Sequence, residues 1–202
     1  MAMDGAKIQL GAFDCAVDGW INTDVTPHLT IARIPFAARA MRLAGLMSES
    51  AWSAHRRGQF AKLRYVDLTR RLPFADAGAA AFFSSHVFEH LFIDEVRPLI
   101  AEIHRCLKPG GVCRVVVPDL EKIMATYDAA DPEPFLVGIY EIGARSAVKN
   151  AHHSGFTGAY ISRLFREAGF SQTAVLSYRE GRCPDLDKLD NRPDSLFFEA
   201  VK

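Results

Sequence analysis

The chain has 202 residues, enough for one full hydrophobic core and few for two. Apolar residues make up 49%, and 24 bases balance 24 acids. Nothing in that balance draws the whole chain to nucleic acid or to an anionic membrane, so no nucleic-acid partner is expected. Cys15, Cys106, Cys113 and Cys183 contain no C-x-x-C pair and read as reduced thiols of a cytoplasmic protein. The start "MAMDGAK" lacks the apolar segment of a signal peptide. No uncharged run reaches the ~18 residues of a spanning helix.

"KIQLG" reads as a buried strand and "GWINTDV" as a second. The segment 34–63 carries apolar residues at helical spacing, broken near "GLMSES". Two helices are expected there, the second capped by Ser48 or Ser50. Arg56, Arg57, Lys62 and Arg64 form a local basic patch that reads as a solvated helix face. "LRYVDL" is a short strand, and "AAAFFSSHV" is a strand running into "FEHL".

"DEVRPLIAEIHRCL" is an amphipathic helix stopped by "KPGG". "VCRVVVP" is apolar enough for a strand buried on both faces. "DLEKIMATYDAA" predicts a helix capped by Asp119, and residues 133–150 read as mixed, mainly helical. "GAYISRLFREAGF" is a further helix. "QTAVLSYRE" and "SLFFEAVK" are strands around a polar loop. Strands alternating with helices predict an α/β fold, a mostly parallel sheet with helices on both faces. The last two strands have only a loop between them, so one must be antiparallel.

The stretches "LRYVDLTRRLPFADAGAAAFFSSHVFEHL" and "EIHRCLKPGGVCRVVVPDL" resemble class I S-adenosylmethionine-dependent methyltransferases. The likeness extends to small bacterial members whose first motif reads L-G-C-G followed by G-W-x-N-x-D. Several of these are associated with cell-surface polysaccharide synthesis. It implies a Rossmann-like sheet with an antiparallel C-terminal strand, in one domain over 1–202 with a helical insertion at about 33–62. The implied activity is methyl transfer from S-adenosylmethionine to a small-molecule or glycan hydroxyl. Position by position, it implies that the turn Gly11-Ala12-Phe13 meets the methionine part of the cofactor. Asp24 would meet the ribose, Asp67 and Leu68 the adenine, and Ser84, Ser85 and His86 the floor of the transfer site.

The first motif departs from the family: Gly11-Ala12-Phe13 stands where relatives have G-C-G. Glycine there lets backbone approach a ligand closely. The competing reading is therefore a degenerate, non-catalytic domain acting as a binding or assembly module. Asp24 and Asp67 also fit turn and loop-capping roles.

"SSHVFEHL" places His86, Glu89 and His90 at i, i+3 and i+4, one face if helical, and "NAHHSGF" adds His152 and His153. One of His86, His90 or His152 is the expected catalytic base, since a neutral imidazole takes a hydroxyl proton near pH 7. His86, Glu89, His90 and His153 are also candidate ligands for a divalent metal. The motif occurs widely in metal-free methyltransferases, so no metal is assigned. Arg179, Arg182 and Asp185 fit either an acidic substrate group or solvated loop charge. The sequence leaves the methyl acceptor and the oligomeric state open.

Overall fold

The computed structural model describes residues 5–141 and 151–202. Seven strands form one sheet: β1 Ala6–Leu10, β2 Ile21–Asp24, β3 Leu63–Tyr65, β4 Ala79–Ser85, β5 Leu107–Val117, β6 Gln172–Leu176 and β7 Leu196–Val201. Their order is β3-β2-β1-β4-β5-β7-β6. The first five pair in parallel, and β7 is antiparallel to both β5 and β6. The antiparallel strand required by the short last connection is thus β7. The sequence order reverses beside β1, where β4 lies on its other side, and ligands of open α/β sheets bind at such a switch.

The helices are α1 His28–Ile31, α2 Ala37–Leu43, α3 Glu49–Arg56, α4 Ile93–Cys106, α5 Leu120–Met124, α6 Glu133–Tyr140, α7 Gly158–Glu167 and α8 Leu186–Leu189. In α4, Val96, Leu99, Ile100 and Ile103 recur at helical spacing and are buried. Ile161, Leu164 and Phe165 do the same in α7. Both stripes join one core with Phe82, Val115 and Phe198 of the sheet. Each fully buried Leu, Ile or Phe there contributes about 1.5–3 kcal/mol.

Two sequence expectations are revised, one falls partly outside the described residues, and one choice between two caps is decided. The "KPGG" stop does end α4, yet Leu107 already pairs with Ala79, and the register shifts before Val112 pairs with Ala81. Lys108–Gly111 is a bulge in β5 rather than a free turn. The helix expected over residues 119–130 is only α5; Asp119 caps it by accepting from the N–H groups of Glu121 and Lys122. In 133–150, α6 is present, and residues 142–150 lie outside the described residues. Ser48, not Ser50, caps α3.

Arg114 in β5 is fully buried and decides where the polar loop before β7 lies. Its Nη2 donates to Asp190 Oδ2 at 2.5 Å, its Nη1 donates to the Glu180 carbonyl at 2.8 Å, and Nη1 lies 3.5 Å from Glu199 Oε1. A buried guanidinium needs such compensation. The loop that supplies it is pulled across the sheet, and its continuation, Leu189–Ser195, reaches the carboxyl end of β4.

Candidate functional site

A cavity of about 780 Å³ opens there. Its lining includes Gln9, the turn Gly11–Cys15, Phe83, Ser85, His86, His90, Pro118, Asp119, Lys122, His152, Leu189 and Asn191–Ser195. Residues from β1 and β4, Pro118 just after β5, the α5 start and the last loop thus share one space, in the size range of small-ligand sites.

Gly11 sits at φ +63°, and a Cβ on it would lie 2.3 Å from Val87 Cγ2. Only glycine fits, by conformation and by space. Phe13 has φ +41°, so the third motif position keeps the left-handed backbone without a glycine. Two contacts hold it. Its N–H donates to Asp24 Oδ2 at 2.9 Å. Its ring meets Phe60 edge-on at 5.4 Å and His28 at 6.2 Å. The side chain that replaces the glycine therefore fastens the turn to the segment between β2 and β3. Ala12 and Ala16 extend that contact by packing with Leu29, Ala54 and Phe60. The backbone turn survives the substitution.

Asp24 lies at the end of β2, and its other oxygen accepts from the Thr26 N–H at 2.7 Å. Each carboxylate oxygen keeps a further lone pair for a ligand. Ser85 lines the cavity, whereas Ser84 is buried with its hydroxyl unpartnered among the described residues. Asp24, Asp67 and Leu68 do not line it. Asp67 accepts from the Thr69 N–H and hydroxyl and sits 3.1 Å from Arg70 Nε. Those Thr69 bonds, with Arg70, hold its carboxyl below the usual range.

The histidines converge, though not on a helix. His86 has φ +53° and only a single 3₁₀ turn, Phe88–His90, follows, so the i, i+4 face is not formed. His86 Nε2 is 2.9 Å from Ser195 Oγ. Its Nδ1 is 3.1 Å from Glu89 Oε1, an ion-pair distance without hydrogen-bond alignment, which leaves both Glu89 oxygens without a hydrogen bond among the described residues. Glu89 is 1% exposed. Its backbone carbonyl accepts from the N–H groups of His153 and Ser154, which brings the second histidine segment alongside.

The ring of His152 then meets that of His90 at 5.1 Å. Ligand atoms of Glu89, His90 and His152 lie within 4.8 Å of one another. The candidate metal set on His86, Glu89, His90 and His153 is thus redrawn. His152 joins it, and His153 stacks on Phe92 at 4.3 Å instead. Burial holds the His152 imidazole below the usual histidine range, against the pull of Glu89.

Arg179, Arg182 and Asp185 do not line the cavity. The Arg179 guanidinium lies over the Tyr178 ring at 4.8 Å. The Arg182 N–H donates to Glu199. Asp185 accepts from Lys7 Nζ at 2.6 Å and from Trp20 Nε1 at 2.9 Å. Sequence reasoning missed Gln9, Lys122 and Asn191–Ser195. The last group read only as a polar loop, and nothing local marks a loop as cavity wall.

Residues 26–115 match a family model described as a methyltransferase domain. The structure is similar to a S-adenosylmethionine-dependent methyltransferase from Thermotoga maritima, at 18% identity and TM-score 0.54, covering 98% of this chain and 82% of that one. It is also similar to one from Mesorhizobium loti, at 17% identity and TM-score 0.53, over 100% and 94%. Phosphoethanolamine N-methyltransferase 2 of Haemonchus contortus, in complex with S-adenosyl-L-methionine, matches at 13% identity and TM-score 0.54, over 100% and 49%. The match over residues 26–115 and the likeness of fold make this chain similar to S-adenosylmethionine-dependent methyltransferases. Among the described residues, no helix is long and apolar enough to cross a membrane.

The site fits the cofactor of that class. The Gly11 turn keeps its glycine backbone, and Gln9 Oε1 is a buried acceptor without a partner among the described residues.

Proposed function

We propose that this methyltransferase acts on a hydroxyl group of a small molecule or glycan. The observation that carries the reading is the lining of the cavity, which joins the Gly11–Cys15 turn to His86, His90 and His152. Gly11, Ala12, Asp24 and Ser85 would hold S-adenosylmethionine, which supplies an electrophilic methyl group when bound. The chain's own contribution is mainly positioning. His86 presents Nε2 to the cavity, where Ser195 Oγ now occupies the place an acceptor hydroxyl would take. The imidazole would take the proton, with the Glu89 carboxylate beside its other nitrogen. Asp119, Asn191 and Asp194 add oxygen acceptors of the kind that sugar hydroxyls bond. A role in cell-surface polysaccharide synthesis rests on the sequence resemblance alone.

Titration calorimetry with S-adenosylhomocysteine tests the reading. Saturable binding is expected, with a raised melting temperature. Asp24→Ala should weaken it by about 1.5–3 kcal/mol. No binding by the wild-type chain would leave the non-catalytic module standing. Asp67→Ala decides between adenine recognition, which predicts lost affinity, and a loop staple to Thr69, which predicts none.

A second reading rests on Glu89, His90 and His152, which form a two-histidine, one-carboxylate set able to take a divalent ion. It predicts methyl transfer that a chelator removes and a divalent ion restores. The imidazole-base reading predicts insensitivity to chelator and loss in His86→Gln.

A further inference from the structure

The segment between β2 and β3 carries a surface that methyl transfer does not explain. No residue of α2 is buried. Phe36, Ala40 and Leu43 follow one another at i, i+4 and i+7, the spacing of a single helix face. All three are exposed, Phe36 to 82% and Leu43 to 80%. Ile34 before the helix is 55% exposed and Leu46 after it 71%. Four large apolar side chains exposed on and beside one short helix are the kind of feature that marks an interaction surface.

The charge around the patch says what would cover it. Residues 28–64 hold seven bases (Arg33, Arg39, Arg42, Arg56, Arg57, Lys62 and Arg64) and one acid, Glu49. This excess sits in a chain that is neutral overall. Glu49 is itself paired with Arg42. Among the described residues, Arg33, Arg39 and Arg56 have no side-chain partner. A second copy docked face to face would set this basic field against itself, so self-association is disfavoured. Nucleic acid would answer the charge but not the aliphatic tips of Ile34, Leu43 and Leu46. An anionic lipid surface answers both: apolar tips enter the boundary of the acyl chains while guanidinium groups meet the phosphates.

We propose that α2 and its flanking turns seat the protein on an anionic bilayer surface. Phe36, Leu43, Ile34 and Leu46 enter the interface, and Arg33, Arg39 and Arg56 lie at the level of the headgroups. The helix lies on the membrane and does not span it. The basic patch near Arg56 is then part of a binding face rather than a solvated one. None of these side chains lines the cavity of the methyl-transfer site.

Co-sedimentation of the full chain with vesicles tests this. Binding is expected to vesicles of phosphatidylglycerol and phosphatidylcholine, weakly or not at all to phosphatidylcholine alone, and should fall as salt is raised. The double variant Phe36→Ser, Leu43→Ser should lose about tenfold or more in partitioning. Arg39→Glu with Arg56→Glu should abolish the preference for anionic lipid. Unchanged S-adenosylhomocysteine binding in each variant would confirm that it is folded, and unchanged circular dichroism serves if the ligand fails to bind the wild type. The proposal is overturned if the wild-type chain ignores phosphatidylglycerol vesicles, or if the variants bind them as the wild type does. It is equally overturned if the chain is a dimer in solution that Phe36→Ser, Leu43→Ser dissociates, since the face would then be a self-contact.

Discussion

β4 and α2 are both seven-residue segments that open on alanines, "AAAFFSS" and "AARAMRL". The first six residues of β4 are buried; none of α2 is. Apolar content does not account for the difference. β4 lies between β1 and β5 in the sheet, so neighbours and helices cover it on every side. α2 lies between turns in a segment that fastens to the rest through α1, α3 and Phe60. Burial follows from what the fold places around a segment, and apolar side chains left outside are free for another surface.

The sharpest test of this contrast is Phe82→Ala in β4. Phe82 is fully buried, and its loss should cost about 3–5 kcal/mol in urea unfolding. A cost below about 1 kcal/mol would mean that the sheet core collapses around the gap and that the contrast is weaker than drawn.

Gly11→Ala tests the turn after β1, because the new Cβ would meet Val87. A loss of about 1–3 kcal/mol in stability is expected, with weaker S-adenosylhomocysteine binding by calorimetry. Unchanged values would show that Val87 moves aside.

The third test is acid. Burial, then the neighbouring His28, holds the His55 imidazole below its usual range. His28 Nδ1 and His55 Nε2 are 3.0 Å apart, so one must be unprotonated. A base with a depressed folded pKa binds fewer protons folded than unfolded, so its contribution is present above the unfolded value near 6.5 and declines as pH falls through it. Amide protection factors in α1 and α3, corrected for the intrinsic exchange rate, should therefore fall between pH 7.5 and 5.5. His104, also held down by burial, acts on the core in the same window. A larger loss of protection in α1 and α3 than in β4 separates the two, and an equal loss would contradict the assignment to the His28–His55 pair.

The smallest expected effect is that of Leu43→Ala. At 80% exposure, its stability change should stay within about 0.5 kcal/mol of zero by thermal or urea unfolding. A larger loss would show that α2 packs more tightly than its exposure allows.

The sequence by itself determined the alternation of strands and helices, the stop after α4 and the antiparallel end of the sheet. Each rests on spacing of two to four residues, or on a proline or glycine, and so is written locally. It also singled out Gly11, Asp24, Ser85 and the three histidines, through motifs close to strand ends. Tertiary structure alone decided their neighbours. His152 joins Glu89 and His90 because His153 and Ser154 donate to the Glu89 carbonyl. Ser195 meets His86 across 109 positions of chain because Arg114 draws the last loop over the sheet. In the sequence Phe13 marks a departure from the glycine motif at the cofactor turn; its partners, His28 and Phe60, lie on a segment whose packing no local period encodes. Contacts between residues far apart in sequence depend on which faces the core has already covered, and that is settled only when the chain is packed.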